Sequence, residues 1–412
     1  MLEIAKNVKI QLIKTKKYKH VGVSFRFMQK YNEKYALANS AICSIIGEYT
    51  NSYKTKELMA EKKDYLYGQI CEATSRINGL NTSLNVNFQF LNPRYTNGVN
   101  LKDQIDFIKE SFNDIYYDQE ILDEIKSNYE YRVIRALDQP SRLATNRTMQ
   151  IIGQDNHLKY ADLDKRYLLD KLDLNLVKEA YERMLNEATI YIYVIGDVED
   201  DIVELFKDFN FKDREYIDYE PIKLSLNDYE ETIEAKDMSQ SYINIVYETT
   251  YSNKTEEYYK WLVADSYLCN VPNSLLFKEV REKRSLCYSI YSQTLKGEGL
   301  SIIASPISSE NKDKVVETVD LCLKIAINQE YAKEELDIAK RMLVNSLRST
   351  NDDAKSYIDF MHSNNLFKRE LSIDDVCDLI MAVSQDDVTE VLKTYKRRLV
   401  YLLKGENKDA RD

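Results

Sequence analysis

The chain of 412 residues sets 68 Asp+Glu against 57 Lys+Arg, giving a net charge of −11 and a pI near 5.1. That balance argues against a nucleic-acid or anionic-membrane partner, since nothing would offset phosphate repulsion. A composition of 44% hydrophobic and 30% charged residues supplies enough apolar material for two packed domains and excludes disorder as the default.

The opening run MLEIAKNVKIQLIKTKKY has no apolar core of signal-peptide length, and no stretch of roughly 18 apolar residues without charge occurs anywhere, so a cytoplasmic protein is expected. Cys43, Cys71, Cys269, Cys287, Cys322 and Cys377 lack C-x-x-C spacing and sit in or near apolar runs. They read as reduced core thiols rather than disulfides or metal ligands.

In chain order, the alternating tract HVGVSFRF from His20 predicts a strand, TSLNVNFQF from Thr82 a second, and Leu101 to Phe112 an amphipathic helix. Leu174 to Asp197 reads as a helix followed by a strand. The run from Phe211 to Asp237 is acidic, has little helical periodicity and reads as a connection. Beyond it the pattern starts again. SYINIVYE from Ser241 matches HVGVSFRF at a separation of 221 (241 − 20), and the same separation carries AEKKDYLY from Ala60 onto REKRSLCY from Arg281. Gly299 to Pro306 and Lys314 to Ile327 repeat the strand-helix order, Glu334 to Leu347 adds another helix, and SQDDVTEVLKTYKRRLVYLLKGE from Ser384 repeats the helix-strand close. One fold is written twice. Each copy predicts an α+β domain with helices covering a largely antiparallel sheet. The boundaries fall at 1–212, a connection at 213–237, and 238–412.

Pro272 to Gln293 is the richest stretch. Asn273 and Ser274 can cap a helix carrying Leu275, Leu276, Phe277 and Val280, and Cys287 to Gln293 alternates as a strand. Arg281 late on the helix and Tyr288 at the strand start could both donate to one carbonyl oxygen as it gains charge. The bland alternative puts Arg281 on a solvated face with Glu282, Lys283 and Arg284, and Tyr288 half-buried in the strand. In the first copy Tyr67 matches Tyr288, but Ala60 stands opposite Arg281.

The wording of this stretch, together with the repeat, resembles the insulinase/pitrilysin-type zinc peptidases, mitochondrial processing peptidase included. The pattern small-x-L-x-x-x-L-R-E-K-x-G-L-x-Y is typical of their second half. Ser285 departs from the usual glycine. The resemblance spans almost the whole chain and implies two homologous α/β-roll domains forming half of a clamshell chamber, with Arg281 and Tyr288 as the substrate-clamping pair.

The family's zinc motif, H-x-x-E-H on an early helix with a later glutamate as third ligand, is absent. Its place falls near Ser40, Ala41, Ile42, Cys43 and Ser44, and the third ligand would be sought near Glu120, Asp123 and Glu124, which read most simply as a solvated helix face. His20, His157 and His362 are the only histidines and lie far apart in sequence, at a strand start, in a loop and in a helical region.

What the resemblance then implies is division of labour. This chain, holding no cofactor of its own, is the accessory, zinc-free subunit of a heterodimeric peptidase, not a peptidase alone. A homologous H-x-x-E-H-bearing partner supplies zinc and base, and Arg281 and Tyr288 bind the peptide carbonyl in trans. The alternatives are a structural subunit of the respiratory-core type and a peptide-binding adaptor.

Overall fold

The computed structural model describes residues 1–154, 158–159, 163–219, 224, 226 and 228–406. It divides into two compact units. One comprises Met1–Arg132, Asp164–Glu220 and Asn351–Leu366; the other comprises Val133–Leu163, Pro221–Thr350 and Phe367–Asp412.

The first unit is built on six strands, β1 (Leu2–Ala5), β2 (Val8–Lys14), β3 (His20–Lys30), β4 (Ile70–Asn78), β5 (Asn81–Leu91) and β6 (Thr189–Gly196), in the order β1-β2-β6-β3-β5-β4. Only β2 and β6 pair in parallel. Strand β3 is covered on both faces although its sequence alternates, an apolar face of Val21, Val23, Phe25 and Phe27 backing a face that carries Ser24 and Arg26. Val21, Val23, Phe25 and Phe27 enter the main core with residues of helices α1 (Ala36–Ile45), α3 (Leu101–Asn113) and α6 (Leu174–Glu187). Phe25 stands at its centre, its ring 4.6 Å from that of Phe112. Helices α2 (Lys56–Tyr65) and α4 (Gln119–Leu137) complete this part of the chain, α4 crossing the unit boundary at Arg132.

The second unit repeats the topology with five strands, β7 (Glu230–Lys236), β8 (Ser241–Glu248), β9 (Tyr291–Leu295), β10 (Leu300–Ile307) and β11 (Lys396–Gly405), in the order β7-β11-β8-β10-β9. Again one edge pair, β7 with β11, is parallel and the rest are antiparallel. Strand β7 lies inside the stretch that reads as a connection. Its residues EETIEAK are almost all exposed on this edge, so no apolar alternation announced it.

Each sheet takes a helix from the other copy's sequence. Helix α5 (Pro140–Ile152) packs on the second sheet, where Leu143, Ala144 and Met149 join Val246, Ile302 and Leu399 and the buried Asn244 amide donates to Thr148 Oγ1 at 2.9 Å. After α7 (Ile202–Lys207), α8 (Tyr258–Asp265), α9 (Lys312–Ile327) and α10 (Lys333–Ser349), helix α11 (Ala354–Leu366) packs on the first sheet. There it covers the polar face of β3. Arg26 donates to Asp359 at 2.8 Å and Asn365 to Gln11 at 2.7 Å, while Ser24 donates to Asn87 Oδ1 on the neighbouring strand at 2.8 Å. Helices α12 (Ile373–Ala382) and α13 (Gln385–Lys393) close the chain, each begun by a serine capping box, Ser372 with Asp375 and Ser384 with Asp387. Among the described residues no helix is long and apolar enough to cross a membrane.

Candidate functional site

The helix from Leu275 is not wound as a plain α-helix. Ser274 starts it, its hydroxyl accepting from Phe277 N at 3.4 Å and donating to Cys269 O at 3.1 Å, and Phe277–Glu282 is a π-helical segment. Lys283 N reaches back to Lys278 O at 2.9 Å, Ser285 N to Arg281 O at 3.1 Å and Leu286 N to Val280 O at 3.0 Å. Such widened turns recur at functional sites. Ser285 sits at φ 52, the left-handed conformation that glycine adopts without strain. The departure from glycine therefore keeps the turn and costs the strain of a side chain there.

One residue anchors the turn. The Glu279 carboxylate is buried and accepts from Lys283 Nζ and from Arg284 Nη1, each at 2.5 Å, while Arg284 Nη1 also reaches Glu279 O at 3.0 Å. Burial pushes the Glu279 pKa up, but these two cations outweigh it and hold it below the ordinary glutamate range. Sequence reading passed over Glu279, although its spacing to Lys283 is the i,i+4 signature of a helical ion pair.

Arg281 is left out of this network. Its guanidinium carbon lies 4.4 Å from the Phe277 ring centroid and 5.3 Å from that of Tyr288. No hydrogen bond or ion pair engages its side chain among the described residues. Stacking holds a guanidinium flat while leaving its N–H edge available. Tyr288 is 82% exposed, and its hydroxyl likewise has no partner among the described residues. The structure thus brings the two side chains together with their donors unspent. Tyr288 does not begin the strand, as the alternating pattern predicts. It lies in a bend between the isolated Cys287–Ile307 bridge and β9, which starts only at Tyr291. Burial raises the pKa of the neighbouring Cys287 thiol against the opposing influence of Ser305 and Arg281.

The place of the zinc motif lies on α1. Ser40 Oγ donates to Ala36 O at 3.3 Å and Ser44 Oγ to Ser40 O at 3.2 Å, Ala41 and Ile42 are buried, and burial pushes the Cys43 thiol up to about 12. Ser40 and Ser44 share a small cleft with Lys126, Tyr129 and Arg132 of α4. Glu120, Asp123 and Glu124 are exposed, Glu124 pairing with Lys56 at 2.6 Å, so they do form a solvated face. Two hydroxyls, an undissociated thiol and two cationic heads do not fit a zinc ion. No cluster of three or more His, Cys, Asp or Glu among the described residues is placed to hold a metal.

His20 opens β3 and stacks on Tyr18 at 5.4 Å. His362 lies on α11, its Nδ1 3.1 Å from the Tyr193 hydroxyl, and burial followed by the Arg26 charge holds its pKa down at about 3. His157 lies outside the described residues. All six cysteines are free.

Residues 171–343, which include Arg281 and Tyr288, match the family model described as the peptidase M16 inactive domain. Over that stretch, less than half of its length, the chain is similar to the inactive domain of M16 peptidases. The insulinase/pitrilysin resemblance read from the repeat and the REKRSLCY tract is thereby upheld. The chain is 21% identical, over 96% of its length and 95% of the relative's, to a Bacillus subtilis (strain 168) protein named "Probable inactive metalloprotease YmfF". Its fold is shared with a conserved protein from Enterococcus faecalis V583, at 23% identity, TM-score 0.91 and coverage of 99% and 98% of the two chains. It is shared also with a peptidase M16 inactive domain from Pseudomonas fluorescens, at 13% identity, TM-score 0.80 and coverage of 98% and 97%.

Proposed function

We propose that this chain is the accessory, zinc-free subunit of a two-chain peptidase that processes peptides in the cytoplasm. A homologous partner bearing H-x-x-E-H brings the metal and the general base. The observation that carries the reading is the convergence of Arg281 and Tyr288 with all their side-chain donors free, in a chain whose zinc-motif position holds hydroxyls and cations.

The guanidinium and the phenol both donate to the carbonyl oxygen of the bound peptide. As that oxygen gains negative charge the two bonds strengthen, which lowers the barrier rather than merely tightening binding. Phe277 and the Glu279-anchored turn fix the geometry so that no reorganisation is needed at the moment of reaction. The name of the Bacillus relative supports a chain without its own hydrolytic centre.

The test is reconstitution with the zinc-bearing partner, assayed on a peptide that the pair cleaves. Arg281→Ala and Tyr288→Phe are each expected to lower kcat about a hundredfold while leaving assembly intact. Unchanged turnover in both variants removes the proposed role.

A further inference from the structure

Strand β9 is the last strand of the second sheet, so the backbone groups that do not face β10 point off the sheet edge. Which groups these are follows from two bonds. Ser292 N–H donates to Asn270 Oδ1 at 3.1 Å, and Lys296 O accepts from Asn253 N at 2.8 Å. Residues 292, 294 and 296 therefore turn their amide edges outward, because outward and inward groups alternate along an antiparallel strand. Asn270 takes the outward N–H of Ser292, and Asn253 the outward C=O of Lys296. Between them the Thr294 N–H and C=O have no hydrogen-bond partner among the described residues.

Thr294 and Lys296 also line a cleft of about 360 Å³ within this unit. Its walls are mixed, with Trp261, Leu262, Pro272, Met342 and Leu343 set beside the polar Ser266, Asn270 and Ser346. Asp265 at its floor is buried and already accepts from Ser301 Oγ (2.7 Å), Ser292 Oγ (2.6 Å) and Asn270 Nδ2 (2.7 Å). With the Tyr395 hydroxyl also donating at 3.5 Å, its lone pairs are taken by four donors and offer nothing to an incoming amine. Lys296 is different. It is exposed, lies 5.8 Å from the Tyr258 ring centroid, and has no ion-pair partner among the described residues.

We propose that this cleft captures the carboxyl-terminal residue of an extended peptide. The peptide main chain pairs with Thr294 N–H and C=O, its last, apolar side chain enters the cleft, and its terminal carboxylate meets Lys296. A chain end rather than a through-running strand is required, because the edge is open for one outward-facing residue and stopped on either side. Lys296 selects the carboxyl end. The pairing is a one-residue case of strand addition combined with carboxylate capture. This inference rests on β9 and its cleft alone and stands whether or not Arg281 and Tyr288 act on a carbonyl.

Trp261 is the chain's one tryptophan and lines the cleft, so its emission reports occupancy. The full chain is titrated, by fluorescence and by calorimetry, with acetylated pentapeptides of Thr and Ser ending in Leu, Val or Phe, each as free acid and as carboxamide. At least one free acid is expected to bind saturably, with its carboxamide about tenfold weaker. Lys296→Gln is expected to erase that preference. Thr294→Pro, which removes the outward N–H without breaking a ladder bond, and Leu343→Phe, which fills the cleft, are expected to weaken the free acid by about tenfold or more. Arg281→Ala is expected to change none of these affinities. The proposal is overturned if no free acid binds, if acid and amide bind alike, or if the Thr294 and Leu343 variants bind as the parent does.

Discussion

The two copies reach their first edge strand by different junctions. In the first, α2 ends in Tyr67 at φ 62 and Gly68 at φ 75, and β4 begins at once with Ile70 and runs nine residues. In the second, a π-helical segment ends in Ser285 at φ 52, and β9 waits until Tyr291 and runs only five. The left-handed residues Gly68 and Ser285 lie 217 apart (285 − 68), four short of the separation that aligns the strands. The first junction therefore caps about one helical turn later. Tyr67 is spent there, donating to Asn97 O at 3.1 Å and accepting from Asn97 N at 2.9 Å. Tyr288 bonds nothing among the described residues. The same element closes a loop in one copy and leaves two donors free in the other.

The sharpest way to break this contrast is to move the arginine. If the proposed two-chain enzyme is reconstituted, Arg281→Ala is expected to cost about a hundredfold in kcat. Adding Ala60→Arg to that variant is expected to restore nothing, since Tyr67 is already engaged. Recovery of turnover in the double variant would mean that the two junctions are interchangeable.

Next in size is the anchor. Glu279→Gln removes the acceptor of two cationic hydrogen bonds and is expected to lower unfolding free energy by about 2 kcal/mol in urea denaturation. Tm should fall while the first copy's junction is untouched. If Glu279→Gln unfolds at the parent's urea midpoint, the carboxylate does not hold the turn.

The smallest effects test the caps themselves. A Cβ on Gly68 meets nothing within 4 Å but must adopt φ +75, so Gly68→Ala is expected to cost about 1 kcal/mol by conformational strain alone. Ser285→Gly relieves the equivalent strain against a greater loss of chain entropy, and is expected to gain about 0.5 kcal/mol. Opposite signs in thermal melts would confirm that both positions are left-handed caps.

Much of this was legible in the residues. The 221-residue register places β3 on β8, both buried over nearly their whole length. Other features carried no one-dimensional signal. Strand β7 is too polar to alternate visibly. The π winding depends on which carbonyl each amide chooses, a matter of one residue's difference that composition does not encode. The late start of β9 follows from the bend at Tyr288, where period-two side chains continue without a ladder. That Arg281 is free while Lys283 and Arg284 are committed to Glu279 could be asked of the i,i+4 spacing but not answered by it.

The reciprocal placement of α5 and α11 has a genetic corollary. A gene severed at the sequence repeat would hand each product a β-sheet stripped of one lid, exposing Val246 and Ile302 in one fragment and stranding the Arg26 guanidinium without Asp359 in the other. Neither fragment would be a heritable, freestanding domain, so fission, shuffling or permutation of this chain must carry both crossing helices along or fail.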